Sequence, residues 1–343
     1  MLYLGMMLAV LTASDAISSD LLSAAPEKPV KVIFDTDLGN DIDDALALGV
    51  IHALQSRGEC ELLAVTITKD EEETAACADA INHFYGRGDI PVGIVKGGPT
   101  PEKSKFTGVA RLKDGEQWRF PHDLMSGNDA PDATAVLRKT LAAQEDHSVV
   151  IVQVGFSTNL ARLLDSEADD ISPLSGKELA AKKVKYISIM AGAFTDIPGL
   201  PEHCEYNVVM DIPSAKRLLE EWPTPVVLSG FEIGITITFP AVCIDRDFAY
   251  APRHPLPEAY QMYEPTPHER PCWDLTSVLW AVRPDRGYFT LSPAGTVTVT
   301  DQGRTFFEAK DGGKHFYLLA DAVQCARVRE ALALLATQPP DAR

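Results

Sequence analysis

Between Asp35 and Asp44 the chain places five aspartates in ten positions, inside VIFDTDLGNDIDDALALGVIHAL, residues 32–54. Carboxylates crowded in this way suit two kinds of chemistry: holding a hard cation through oxygen ligands, and taking a proton as a general base. Asp43 and Asp44 would sit in the first turn of a helix, where the macrodipole and free backbone N–H groups favour negative charge, and that accounts for one or two of the five. Without a counter-charge the others would repel one another or take up protons, so a bound cation is the simplest resolution. All-oxygen ligation suits calcium or magnesium, and flexible ligation by several carboxylates leans to calcium.

The elements that would position this loop follow from the apolar pattern. Val30 to Phe34 reads as a buried strand, Asp35 to Ile42 as the loop at its carboxyl end, and Asp43 to Gln55 as a helix. Further strands are expected at Leu62 to Ile67, Val92 to Val95, Val149 to Val154, Val184 to Met190 and Pro225 to Leu228. Between them, Glu72 to Tyr85, Asp132 to Ala143, Thr158 to Leu164 and Ile212 to Glu221 have apolar residues at helical spacing. Such alternation predicts an α/β protein with an open, mostly parallel sheet and helices on both faces, in which ligands bind at the carboxyl edge of the strands. After a helix from Trp273 to about Val282, the chain reads as antiparallel hairpins turning at 293–295, 301–303 and 311–313, closed by a helix from Asp321 to Leu335. Lys96 to Pro131, rich in Gly, Pro and charge, is a long excursion suited to a lid.

With 343 residues, the chain has enough apolar sequence to bury a substantial core. A net charge of −18 and the absence of Lys/Arg clusters exclude nucleic acid as a partner. The apolar run LYLGMMLAVLTA has the length of a signal-peptide core and is too short to span a bilayer, with Ser23 and Ala25 as small residues at a cleavage site. Residues 1–25 are therefore expected to be a signal peptide that sends residues 26–343, a single domain, to the periplasm or outside the cell, with no membrane anchor. The six cysteines lie scattered, without a CxxC or His partner that would mark a zinc site.

Motifs with an acidic loop can be compared with this one. An EF-hand carries an acid at the twelfth place, where this chain has Leu46 or Leu48, counting from Asp35 or Asp37. A haloacid-dehalogenase phosphatase opens on DxD after a strand, but Gly39 stands where that pattern has Thr or Val, and it remains only an alternative. DTDLGNDIDDALAL resembles the amino-terminal signature of the inosine-uridine preferring nucleoside hydrolase family. The resemblance continues in LLAVTIT (62–68), DIPVGIVKGG (89–98), VIVQVGFSTNLARLL (150–164), VKYISIMAGAF (184–194) with EYNVVMDIPSAKRLL (205–219), and CWDLTSVLWAV (272–282).

This resemblance implies the nucleoside hydrolase fold, with a Rossmann-like core, and calcium-dependent hydrolysis of the N-glycosidic bond of a ribonucleoside or related riboside. It implies that Asp37, Asp44, Asp274 and the Val154 carbonyl hold calcium, that Asp37 is also the general base, and that Asp43, Glu205 and Asn207 hold the sugar. A small-molecule substrate is the partner expected, and a homo-oligomer is allowed for. Three departures from the family pattern stand out. Two residues are inserted between Asp37 and the Asp43-Asp44 pair, so Asp41 or Asp43 could take the sugar-contacting place, and Asp43 keeps the helix register with Ala45. Lys69 stands where an amide follows the second strand in better-known members. Trp273 replaces the His that protonates a purine leaving group, and is a candidate to stack on the base. That replacement also favours a second reading, a calcium-dependent nucleoside- or sugar-binding protein without turnover.

Of the remaining polar residues, His122 and His203 are candidate pocket contacts set against surface roles, His52 and His83 lie within helices as packing or surface residues, and Asp196 and Asp211 serve a turn and a helix start. Glu232 lies after a strand at the functional edge.

Amino-terminal sequencing of the protein from its native host is expected to find the mature chain beginning near Pro26. An intact Met1 in soluble cytoplasmic material would refute export.

Overall fold

The computed structural model describes residues 28–341, so the expected signal segment, 1–25, lies outside the described residues. The chain begins β1 (Val30–Thr36), α1 (Asp43–Ser56), β2 (Cys60–Ile67), α2 (Thr74–Phe84) and β3 (Val92–Ile94). A long excursion then carries a 3-10 turn, Thr107–Arg111, and a two-stranded ribbon, β4 (Lys113–Asp114) with β5 (Gln117–Trp118). The α/β alternation resumes with α3 (Ala133–Ala142), β6 (Val149–Gln153), α4 (Thr158–Asp165), α5 (Gly176–Lys183) and β7 (Val184–Met190). Next come α6 (Tyr206–Met210), α7 (Ile212–Glu221), β8 (Val226–Ser229), α8 (Phe231–Ile235), α9 (Ala241–Arg246), α10 (Pro255–Tyr263) and α11 (Trp273–Val282). The chain closes with β9 (Thr290–Leu291), β10 (Gly295–Val299), β11 (Thr305–Ala309), β12 (His315–Leu319) and α12 (Ala322–Ala336).

The main sheet runs β11-β10-β12-β8-β7-β6-β1-β2-β3. Every pair from β12 to β3 is parallel. From the centre, β1, β2 and β3 progress to one side, and β6, β7 and β8 to the other. The connection therefore reverses between β1 and β6, the place where the strand ends splay apart and leave a crevice in open α/β sheets. Alternation in β1 divides its side chains between two cores. Val32 and Phe34 join the side of α1, α2, α11 and α12, while Ile33 joins that of α3, α4, α5 and α7.

Helix α11 is buried from Asp274 through Val282 and tied to the sheet by polar contacts as well as packing. Tyr186 Oη donates to the Ala281 carbonyl at 2.7 Å, Ser188 Oγ to the Ser277 carbonyl at 3.0 Å, and Ser229 and Thr276 share a 2.8 Å hydrogen bond. These bonds satisfy polar groups that would otherwise cost stability in the core. They also fix the register that carries Asp274 to the top of the sheet.

Two expectations are corrected. Of the three carboxyl-terminal turns, only 301–303 closes a hairpin, between β10 and β11. Strand β9 pairs with β12 instead of β10, and β12 runs parallel beside β8, with β10 between it and β11. The reason is burial: Phe316 and Leu318 need cover, whereas β11 is exposed along most of its length and suits an edge. Second, the excursion 96–131 is no lid, since none of its residues lines the cavity at the crevice. It packs beside α2 and α10 and reaches the site only from behind, through Thr100. Six free thiols are present, Cys60, Cys77, Cys243 and Cys272 among them buried. Among the described residues no helix is long and apolar enough to cross a membrane.

Gly155, just after β6, lets the β6 chain pass against the Asp loop. A Cβ there would collide with Asp37 N and Thr68 Oγ1 and lie 2.7 Å from the Thr36 carbonyl carbon. Gly155→Ala is expected to destabilise the protein by about 1–3 kcal/mol, the usual cost of overpacking, measured by denaturant unfolding. A wild-type midpoint would show that the close approach carries no constraint.

Candidate active site

At the carboxyl ends of β1, β6 and β7 lies a cavity of about 430 Å³. Its floor comes from the Asp loop and the start of α1 (Asp37, Asn40, Asp41, Asp43, Asp44), from Val154 after β6, from Met190, and from Asp274 at the start of α11. Glu205, Tyr206 and Asn207 close one side, and Phe231, Tyr263, Arg270 and Trp273 form an aromatic and cationic wall. Two helix amino termini, those of α1 and α11, converge on the floor, so their partial positive charge faces the carboxylates.

Asp43, Asp44 and Asp274 each offer an oxygen within 4.8 Å of the others, a grouping able to hold a metal ion. All three are buried, and burial pushes each carboxyl pKa well above its usual value, with repulsion from neighbouring aspartates adding to it. Their hydrogen bonds are few. Thr36 Oγ1 donates to Asp44 Oδ1, and the Asp274 backbone N–H donates to Asp43 Oδ2 at 3.1 Å. Among the described residues, Asp44 Oδ2 is buried with no hydrogen-bond partner. Such an orphaned acceptor beside two further carboxylates fits a hard cation with oxygen ligands.

Asp37 adjoins this cluster. Burial raises its pKa to about 6, against the hydrogen bond that Asn40 Nδ2 donates to its Oδ2 at 2.8 Å. Asn40 is held in turn by Lys69, whose Nζ donates to Asn40 Oδ1 at 3.0 Å and to the Thr100 carbonyl at 2.7 Å. Lys69 is only 2% exposed and does not line the cavity, so it supports the Asp loop from below and is not positioned to touch a ligand. Asp35, behind the loop, accepts from Thr66 Oγ1 at 2.6 Å and Asn159 Nδ2 at 2.8 Å, and burial lifts its pKa to about 7.

Asn207 donates from Nδ2 to the carbonyl of Val154 at 2.8 Å and of Met190 at 3.1 Å, which ties β6 and β7 together at the cavity. Glu205 caps α6: its carboxylate accepts the N–H groups of Asn207, Val208 and Gly192 at 2.8, 3.2 and 3.1 Å. Even so, burial raises its pKa to about 7. Trp273 is seated by Gly234, where a Cβ would collide with the indole, and its Nε1–H donates to the Phe231 carbonyl at 3.0 Å.

The eight residues that the resemblance assigns to the site, Asp37, Asp43, Asp44, Val154, Glu205, Asn207, Trp273 and Asp274, all line this one cavity. Asp41 and Asp43 are separated by their partners: Asp43 belongs to the carboxylate cluster, and Asp41 forms an ion pair with Arg270. His122 is buried against the Phe120 carbonyl at 2.7 Å and is neither a surface residue nor a pocket residue. His203 packs on the Phe231 ring at 4.0 Å, and Glu232 accepts the Phe194 N–H at 3.1 Å; neither lines the cavity. His52 is buried in α1 on Asn82, and Asp211 caps α7 through Ser214. Sequence reasoning missed Asn40, Met190, Arg270, Tyr206, Phe231 and Tyr263. Arg270 had one available signal, its place three residues before Trp273 in RPCWD; the aromatic residues had none.

Residues 32–330 match the sequence model of the family described as inosine-uridine preferring nucleoside hydrolase. The chain is similar to an uncharacterized protein of Schizosaccharomyces pombe, 26% identical over 268 residues, covering 75% of this chain and 81% of that protein. It is also similar to the pyrimidine-specific ribonucleoside hydrolase RihA of a Shewanella species, 28% identical over 221 residues, covering 63% of this chain and 62% of the relative. Among solved structures, a plant nucleoside hydrolase, the PpNRh1 enzyme, shares the fold with a TM-score of 0.67 at 23% identity, over 91% of this chain and 100% of that one.

Asp274→Ala is expected to weaken divalent-cation binding by more than the roughly 10–100-fold typical of losing an outer-shell partner, with the circular dichroism spectrum retained. Calorimetric titration with calcium checks it. An unchanged isotherm would remove Asp274 from the cation site.

Proposed function

This chain belongs to the inosine-uridine preferring nucleoside hydrolase family, a hydrolase of N-glycosyl compounds, and on that premise we propose that it cleaves ribonucleosides or close ribosides with calcium as cofactor. The observation that carries the reading is the buried carboxylate cluster on the cavity floor, opposite an aromatic wall and beside Glu205 and Asn207. Family membership leaves the phosphatase alternative without a place.

Asp44, Asp274, Asp37 and the Val154 carbonyl would hold the calcium, with Asp43 close enough to share the site. When bound, calcium supplies positive charge that holds a water molecule and the sugar hydroxyls at one place. The chain's own residues do the rest. Asn40 fixes Asp37 by its Oδ2, which leaves Oδ1 to take the proton of the attacking water. Asp43, Glu205 and Asn207 lie where ribose hydroxyls would be bound, and each hydroxyl bond is an interaction that a deoxyribose forfeits. Carboxylates around the sugar also stabilise the positive charge that develops on it as the C–N bond breaks. The aromatic wall excludes water from the far side and gives the base a face to stack on. The proposed place of action is the periplasm or the exterior, on the strength of the amino-terminal apolar run.

A panel of nucleosides with calcium should release free base and reducing sugar. Binding without release would turn the reading to a binding protein. Asp37→Asn retains an oxygen ligand but loses the base, so kcat is expected to fall by a factor on the order of 100 or more while substrate affinity changes much less. Near-normal turnover in that variant would move the base to another aspartate.

A further inference from the structure

The strongest unassigned feature is the Asp41–Arg270 ion pair at the cavity wall. Arg270 Nε donates to Asp41 Oδ1 at 2.8 Å and Nη2 donates to Oδ2, so one edge of the guanidinium is fixed in a fork. Its Cζ lies 5.3 Å from the Tyr263 ring centroid and 5.2 Å from that of Trp273, which holds the plane between two aromatic surfaces. Nη1 makes no hydrogen bond among the described residues, and Arg270 lines the cavity.

Cleavage of an N-riboside needs the departing nitrogen to receive the electron pair of the C–N bond. Either an acid protonates the base as it leaves, or the base leaves as an anion that the site stabilises. The first route has no ready donor on this wall: its one hydroxyl, on Tyr263, has its pKa pushed up by burial and holds its proton. Trp273 has its single N–H committed to the Phe231 carbonyl, His122 lies outside the cavity, and a guanidinium does not give up its proton. Arg270 supplies the second.

We propose that Arg270, held by Asp41, contacts the leaving group through Nη1 and stabilises the negative charge that develops on it, so that the enzyme favours bases with a ring carbonyl beside the glycosidic nitrogen, the pyrimidine pattern. This rests on the hydrolase reading above. Water oxygen bonds to the anomeric carbon, its proton passes to Asp37, and the C–N electron pair goes to the base. The pyrimidine anion delocalises that pair onto the carbonyl oxygen, an acceptor for Nη1–H, and takes its proton from solvent after departure. A purine has no carbonyl at that place and depends on protonation of its ring, which this wall does not provide. Charge stabilisation of this kind acts on kcat because it is made only as the bond breaks.

The test compares uridine, inosine and p-nitrophenyl β-D-ribofuranoside, whose leaving group departs without assistance, in wild type, Arg270→Gln and Arg270→Lys with saturating calcium. Wild type should prefer uridine to inosine. In Arg270→Gln the loss of kcat/KM on uridine should exceed the loss on the p-nitrophenyl riboside by on the order of 100-fold. Arg270→Lys, which keeps the charge without the fork, should fall between them. Equal losses on both substrates would overturn the assignment and leave Arg270 a packing residue, as would an unchanged uridine rate or a preference for inosine. A wild type that cleaves none of the three would overturn the hydrolase reading, and this assignment with it.

Discussion

Repulsion among buried carboxylates is the constraint on which the rest of this structure depends. Asp43, Asp44 and Asp274 bring three oxygens within 4.8 Å of one another. If all were ionised, each pair would repel by roughly 3–4 kcal/mol at an effective dielectric of about 20. Three such pairs together approach about 10 kcal/mol, the size of the net stability of a typical domain. A helix amino terminus returns about 0.3–2 kcal/mol, and a hydrogen bond to a charged group about 1.5–3. Asp43 and Asp44 each receive one hydrogen bond, and no hydrogen bond reaches the Asp274 carboxylate among the described residues. The local donors therefore cannot balance the cluster, which must bind protons or a cation. The raised pKa of each member is the protein's expression of that choice.

Holding such a cluster requires a scaffold that does not relax away from it. The fold supplies one by placing the acids where the sheet's winding reverses, with β1 buried on both faces and Gly155 pressed under Asp37. Helix α11 is pinned to β7 and β8 by three polar contacts within an apolar interface, so Asp274 cannot retreat by sliding one turn. The residues that line the carboxylate floor are thus few, while the residues that hold them in place are spread over most of the core.

Much of this was legible in the sequence because two signals were local and strong. Apolar runs alternating with helical spacing give the parallel sheet, and β7, α7 and α11 fall where that spacing puts them. Five aspartates in one turn mark the crevice without any knowledge of tertiary structure. The illegible parts share one property, dependence on partners distant in the chain. Gly and Asp at 301–303 and 311–313 fix where the chain reverses, but the neighbour of β12 was decided by the need to bury Phe316 and Leu318. The excursion 96–131 has the composition of a lid and instead packs as a buttress, since Phe106, Val109, Ala110 and Phe120 are buried in the core. Arg270 gave no charge-pattern signal, because its partner Asp41 is separated from it by 229 positions.

Three features that stand apart along the chain form one unit in space. Asn40 and Asp41 lie between Asp37 and the Asp43-Asp44 pair, Lys69 follows β2, and Trp273 stands immediately before Asp274. Asn40 bridges Asp37 to Lys69, and Asp41, its neighbour in the loop, grips Arg270 against the face of Trp273. The loop thus provides both links at once: one fixes the orientation of Asp37 beneath the cavity, and the other sets a cation beside the wall. Loss of either link would leave a charged group short of a partner. A lysine without Asn40 would be a buried cation with one polar partner fewer, and an arginine at the wall without Asp41 would lose the fork that fixes it. Physical interdependence of this kind means that Asn40, Asp41, Lys69, Arg270 and Trp273 act as one unit, so that a change at one of them is felt at the others.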